Sequence, residues 1–212
     1  TIFKFYFQAW ILWGIVAAVL SVWLFQSLKK WKGVVFQVIW IASMLAGLAY
    51  PSIMLWSKTD HFSMKDWTLN GNAYIQRYNA DEYDAITWLQ SAPLGVVSEA
   101  IGGSYTDYAR ISTRSGQPTV LGWPGHESQW RGGGAEMGSR YSDIQTLYEA
   151  KTWTEIQPII KAYDIRYIYV GGLEYSSYNV ETGKFDAMLE PVYNNQSVTI
   201  YEVPSGLGDL PQ

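Results

Sequence analysis

Between positions 123 and 131 the sequence places Trp123, His126, Glu127, Trp130 and Arg131 in one short stretch. Indole rings offer faces on which the apolar side of a sugar or a lipid headgroup can stack, and a carboxylate beside a guanidinium offers oriented hydrogen bonds. Glycines on both sides, Gly122, Gly125 and Gly132 to Gly134, allow tight turns or movement. The competing structural reading is a rigid loop with Trp123 and Trp130 as plugs of the core. A second stretch runs from Glu99 to Arg110 and contains Gly102-Gly103-Ser104-Tyr105 and Asp107. Backbone amides at Gly103 and Ser104 would open a helix and could hold an anion such as phosphate. Ser104 and Asp107 also have capping-box spacing, so both could serve only that helix. Glu99, at the end of a short apolar strand, is harder to explain by structure alone.

Other chemistries are disfavoured by the residue types. His126 and Glu127 are adjacent instead of four apart, and His61 is the only other histidine, so a zinc site is not expected. There is no cysteine, which removes thiolate catalysis and disulfides. No Gly-x-Ser-x-Gly elbow, Walker A loop or complete dinucleotide fingerprint occurs. No cofactor is expected in this chain.

The elements that must carry these stretches read as α/β. Asn79 is positioned as an N-cap with Glu82 at N3, opening a helix that Pro93 stops. Strands are expected at 96–101, 117–123 and 165–170, with helices through 105–111, 141–150, 152–163 and 185–189. A terminal hairpin is expected around Asn194-Asn195, spanning 192–203. This alternation predicts a three-layer, Rossmann-like α/β domain over 79–203 with a mostly parallel sheet and an antiparallel C-terminal hairpin. Residues 57–78 read as a linker and 204–212 as a loose tail.

The first 56 residues differ in kind. They hold four charges, Lys4, Lys29, Lys30 and Lys32, and no acid, whereas the rest carries 11 basic and 19 acidic residues, a net charge of −8. That acidity argues against a nucleic-acid partner. Two apolar runs, 5–28 and 33–56, are each long enough to cross a hydrocarbon layer of ~30 Å. Tyr50-Pro51 is expected to kink or end the second run. The three lysines of the turn place it on the cytoplasmic side by the positive-inside rule, which puts the acidic domain outside the cell membrane. Small residues, Gly14, Ala17, Ala18 and Ser21, then Ser43, Ala46 and Gly47, suit close packing against further helices of the same protein or of a membrane complex. The chain opens with neither methionine nor a basic n-region, so its start reads as internal to a longer polytopic protein or as a processing site, not as a signal peptide.

Several motifs are familiar together: Phe3-Lys-Phe-Tyr-Phe-Gln-Ala-Trp10, Thr68-Leu-Asn-Gly71, Asp81-Glu-Tyr-Asp-Ala-Ile-Thr-Trp-Leu89, Ser104-Tyr-Thr-Asp-Tyr-Ala-Arg110, Pro118-Thr-Val-Leu-Gly-Trp-Pro-Gly-His-Glu127 and Arg166-Tyr-Ile-Tyr-Val-Gly171. They resemble the C-terminal end of the YYY membrane protein family, large uncharacterised polytopic proteins of bacteria and archaea. That family looks related to the GT-C glycosyltransferases, which use lipid-linked sugars on the outer side of the membrane. The order of elements is also similar to the outer domain of oligosaccharyltransferase catalytic subunits, although their Trp-Trp-Asp motif is missing here. In GT-C enzymes the catalytic acid and the ligands of a divalent metal lie in a first outer loop, which this chain lacks. The resemblance therefore implies a recognition part, reading acceptor, glycan or polyprenyl phosphate, for a parent enzyme that uses a lipid-linked sugar. The alternative is a structural or accessory subunit of a membrane complex.

Overall fold

A computed structural model describes residues 2–63 and 68–204. The expected tail from 204 lies almost wholly outside these residues, as does part of the expected linker. The chain divides into two compact units, 1–67 and 68–212.

The first unit is a helical hairpin, α1 (Ile2–Ser27) and α2 (Lys30–Lys58). Both are long and apolar enough to cross a membrane, with mean hydropathies of 1.9 and 1.8, and neither span is buried within the protein. Rings of Trp10, Trp13, Trp23 and Trp56 are largely exposed, an apolar surface of a size that soluble proteins do not leave in water. The hairpin is closed by Phe25 packing edge-on against Phe36 and Trp40, and by the Trp40 indole donating to Ser21 Oγ at 3.0 Å. Gly33 sits where any Cβ would meet the Leu28 carbonyl oxygen at 2.8 Å, which lets the turn approach α2 closely. Gly14 and Gly47, in contrast, face open space. Pro51 does not end α2, which continues for seven further residues to Lys58.

The second unit is an α/β domain. Its elements are α3 (Ala73–Tyr78), α4 (Ala80–Ser91), β1 (Val96–Ser98), α5 (Arg110–Ser115), α6 (Pro124–Trp130), α7 (Arg140–Glu149), α8 (Trp153–Ala162), β2 (Ile165–Val170), α9 (Gly172–Ser177), α10 (Gly183–Asp186), β3 (Pro191–Asn194) and β4 (Thr199–Glu202). The strand order is β1-β2-β4-β3. Side chains alternate along β2, so Ile168 and Val170 pack with Ile144, Leu147, Ile156, Ile160 and Phe185 on one side. Tyr167 and Tyr169 pack with Ile75, Ile86, Leu89 and Ile111 on the other. Helices therefore cover both faces of the sheet, as a strand buried on both sides requires.

The sheet is mixed, which corrects the expectation of a mostly parallel one. Only β1 and β2 run parallel, while β4 is antiparallel to both β2 and β3. The expected strand at 117–123 shrinks to a single bridge, Val97 to Thr119. Its sequence explains why: Pro118 has no N–H to give to a ladder. The Gln117 side chain instead ties the neighbouring loop, accepting from Gly95 N at 2.9 Å and donating to Leu89 O at 2.9 Å. The C-terminal hairpin forms as expected, its turn held by Asn195 Oδ1 accepting from the amides of Ser197 and Val198. α3 lies within the expected linker, and the helix expected at 185–189 is a single turn at 183–186.

Candidate functional site

Two of the expected loops fold differently from their sequence reading. The stretch after Gly102-Gly103 is a series of turns, and α5 begins only at Arg110. Tyr105 and Ala109 both adopt the left-handed conformation, φ 61° and 62°. Ser104 and Asp107 therefore cap no helix. The amides that open α5 are already occupied: Glu99 accepts from Ile111 N at 2.9 Å and Ser112 N at 3.0 Å. A carboxylate from the end of β1 thus occupies the N-terminus of α5, which lies well past the Gly103 and Ser104 amides expected to open a helix, and Glu99 is only 1% exposed. The second stretch is not a loop but helix α6, started by Pro124 at its first position, where a missing N–H costs nothing.

These two segments meet. The Tyr105 ring lies 4.7 Å from His126, edge-on, and 5.7 Å from Trp123, and Trp123 lies 5.2 Å from His126. The Trp123 indole is fixed by donating to Tyr108 O at 2.7 Å. Tyr108 is itself packed against Gly102, where a Cβ would come within 2.2 Å of its ring. Tyr105 is 84% exposed, so the cluster has an open aromatic face.

Trp123 and His126 also line a cavity of about 450 Å³, together with Glu127, Arg131, Glu136 and Arg140. Glu127 on α6 and Arg131, the residue that caps its C-terminus, form an ion pair, and Arg131 reaches Glu136 at 3.6 Å. These bonds hold the guanidinium at the rim and raise its pKa further, chiefly through the Glu127 hydrogen bond. Glu136 and Arg140 were not anticipated from sequence. Trp130 is exposed and stands outside the cavity lining, so it is not a plug of the core.

Arg110 occupies a different setting. It donates through Nε to Glu82 Oε1 at 2.8 Å and through Nη2 to Glu82 Oε2 at 2.6 Å, with Glu174 Oε2 at 4.0 Å. Glu82 keeps its expected place at N3 of α4, where its amide donates to Asn79 Oδ1, but its carboxylate crosses to α5. Glu174 is fully buried and bridges the ends of the parallel strands, accepting from Ala100 N at 2.9 Å and Gly171 N at 3.0 Å. Burial pushes its pKa up to about 7, against the opposing pull of Arg110. Burial likewise raises Glu99. For Arg110, burial alone would lower the pKa, but the Glu82 hydrogen bond and the Glu174 field outweigh it. Two buried carboxylates, Glu82 and Glu174, thus share one guanidinium, and Glu99 feels its field while bonding only to backbone amides.

Among the described residues no group of three histidines or acids could hold a metal ion. No family model matches the chain, and no curated protein does. Among solved structures, the C-terminal globular domain of an oligosaccharyltransferase from Archaeoglobus fulgidus is similar, at 14% identity and a TM-score of 0.38. The match covers 58% of this chain and 97% of that one.

Proposed function

We propose that this chain is the C-terminal portion of a polytopic membrane protein of the YYY and GT-C kind, and that its α/β domain recognises a glycan or glycan-bearing acceptor without performing chemistry itself. The observation that carries the reading is the open Tyr105–Trp123–His126 face beside a cavity rimmed by Glu127, Arg131 and Arg140. Aromatic faces take the apolar side of a sugar ring, and fixed charged groups take its hydroxyls. The left-handed backbone at Tyr105 costs about 1–2 kcal/mol, and such strain is found where a loop is held in place for a ligand. The motif resemblance of the sequence points the same way. A lipid-linked sugar and a divalent metal belong, on this reading, to parts of the parent protein outside this chain. The test is calorimetric titration of the full chain in nanodiscs with neutral oligosaccharides, which should bind, and with polyprenyl phosphate.

The lysine turn Lys29, Lys30, Lys32 supports an extracytoplasmic domain by the positive-inside rule. Because the chain has no cysteine, single cysteines report its topology cleanly. A Ser91→Cys variant in intact cells should react with a membrane-impermeant maleimide, and Ser27→Cys should react only after lysis. The reverse pattern would overturn the orientation.

A second reading, an accessory subunit of a membrane complex, is favoured by Gly14 and Gly47, whose faces are left open by the α1–α2 contact. Close-packed membrane helices use such faces. On that reading the chain co-purifies with other membrane subunits and binds no sugar.

A further inference from the structure

A second cavity, of about 350 Å³, lies in the same domain. We propose that it is a further saccharide subsite, so that the domain takes an oligosaccharide of several rings instead of a single sugar. This deepens the glycan reading above and rests on it.

Helix α5 and the loop before it are the shared wall. Ala109, Ser112 and Thr113 line the first cavity, while Asp107, Arg110 and Arg114 line the second. The spacing explains this: 109, 112 and 113 fall on one face of a helical turn, 110 and 114 on the next. The second cavity repeats the character of the first. Tyr74 and Tyr78, one turn apart on α3, have ring centroids 5.0 Å apart and are 65% and 70% exposed. They stand beside two guanidinium groups that are already fixed. Arg110 is held by Glu82, and Arg114 Nη1 donates to Gly71 O at 2.9 Å and Asn72 Oδ1 at 2.8 Å. Glu82 and Asp107 also line it, so its two cations face two carboxylates. A lining without net charge favours a neutral, hydroxyl-rich ligand over an anion. Each cavity is at the small end of ligand sites. The wall between them is one helix, roughly 10 Å across with side chains, a gap that a disaccharide seated in one cavity does not span.

The test titrates the full chain in nanodiscs with malto-, cello-, manno- and chito-oligosaccharides of two and of six residues. In whichever series binds, the hexamer should bind about tenfold more tightly than the dimer, because the second contact is intramolecular. The double variant Tyr74→Ala, Tyr78→Ala should reduce the hexamer to the dimer value and leave the dimer unchanged. Equal affinities of dimer and hexamer, or a tyrosine variant that keeps the hexamer advantage, overturn the second subsite alone. So does loss of that advantage in millimolar inorganic phosphate, which would show an anion site. If none of the series binds, the glycan reading falls and the subsite falls with it.

Discussion

Replacing Arg110 with methionine is expected to cost the α/β domain about 3–5 kcal/mol, the range for breaking a buried ion pair by removing one partner. The side chain keeps its apolar stem, so the loss is electrostatic in origin. Glu82 and Glu174 are 5% and 0% exposed, and among the described residues Arg110 is the cation that pairs with both. Glu82 would lose a bidentate partner at 2.6 and 2.8 Å. A domain of this size is stable by only about 5–15 kcal/mol, so the change removes a large share of the total. Urea unfolding of the nanodisc-bound chain, followed by circular dichroism, measures it. The double variant Arg110→Met, Glu82→Gln should recover part of the loss, since it removes one of the stranded charges; strictly additive losses would show that the pair does not couple.

Stability of the domain is expected to fall as pH rises from about 4.5 to about 7. The cause is Glu174, whose carboxyl is pushed by burial from 4.5 to about 7 in the folded chain. Between those values the folded state binds a proton that the unfolded state has released, so the slope of stability with pH is negative. The stabilisation is full below the unfolded value and is gone above the folded one, a total of roughly 3 kcal/mol at 1.4 kcal/mol per pKa unit. Glu99, also raised by burial, acts in the same direction. Glu174→Gln should flatten this slope while lowering stability overall, because an amide can accept from only one of the Ala100 and Gly171 amides. Unfolding midpoints at pH 4.5, 6 and 7.5 read the slope, and an unchanged slope in the variant would assign the effect elsewhere.

Local features of this domain are written plainly in its sequence. Asn79 and Glu82 mark the start of α4, the continuous apolar run of 165–170 is the central strand β2, and Asn195 sets the last turn. The hairpin of two helices apolar enough to cross a membrane is equally plain, since composition alone separates 1–56 from the rest. What the sequence hides are pairings between distant positions. Glu82 reads as a capping residue and Arg110 as a ligand residue of the 99–110 stretch, and nothing in their spacing from Glu174 reveals that the three share one buried site. Glu82 does cap-region duty through its amide while its carboxylate serves α5, so the N3 signal is correct and incomplete. Glu99 reads as a ligand residue because a charge at the end of a buried strand has no local partner; the partner is a helix that starts eleven positions later. Helix α6 is hidden by the surrounding glycines, which argue for a loop although Pro124 followed by Glu127 is a helix-start signal. The strand expected at 117–123 had the apolar pattern, and Pro118 outweighed it.

Tyr105 is 84% exposed and touches the rings of Trp123 and His126 in the aromatic cluster, so on the glycan reading proposed above Tyr105→Ala removes the stacking face with little effect on the fold. Stacking of this kind is worth about 0.5–1.5 kcal/mol beyond area burial, to which the buried area of the ring adds. The decisive measurement titrates the full chain in nanodiscs, and its Tyr105→Ala variant, with the malto-, cello-, manno- and chito-oligosaccharides named above. The expected result is binding by the unaltered chain and a loss of about tenfold or more in the variant with an unchanged urea midpoint; equal affinities, or no binding by either, overturn the aromatic site as a glycan surface.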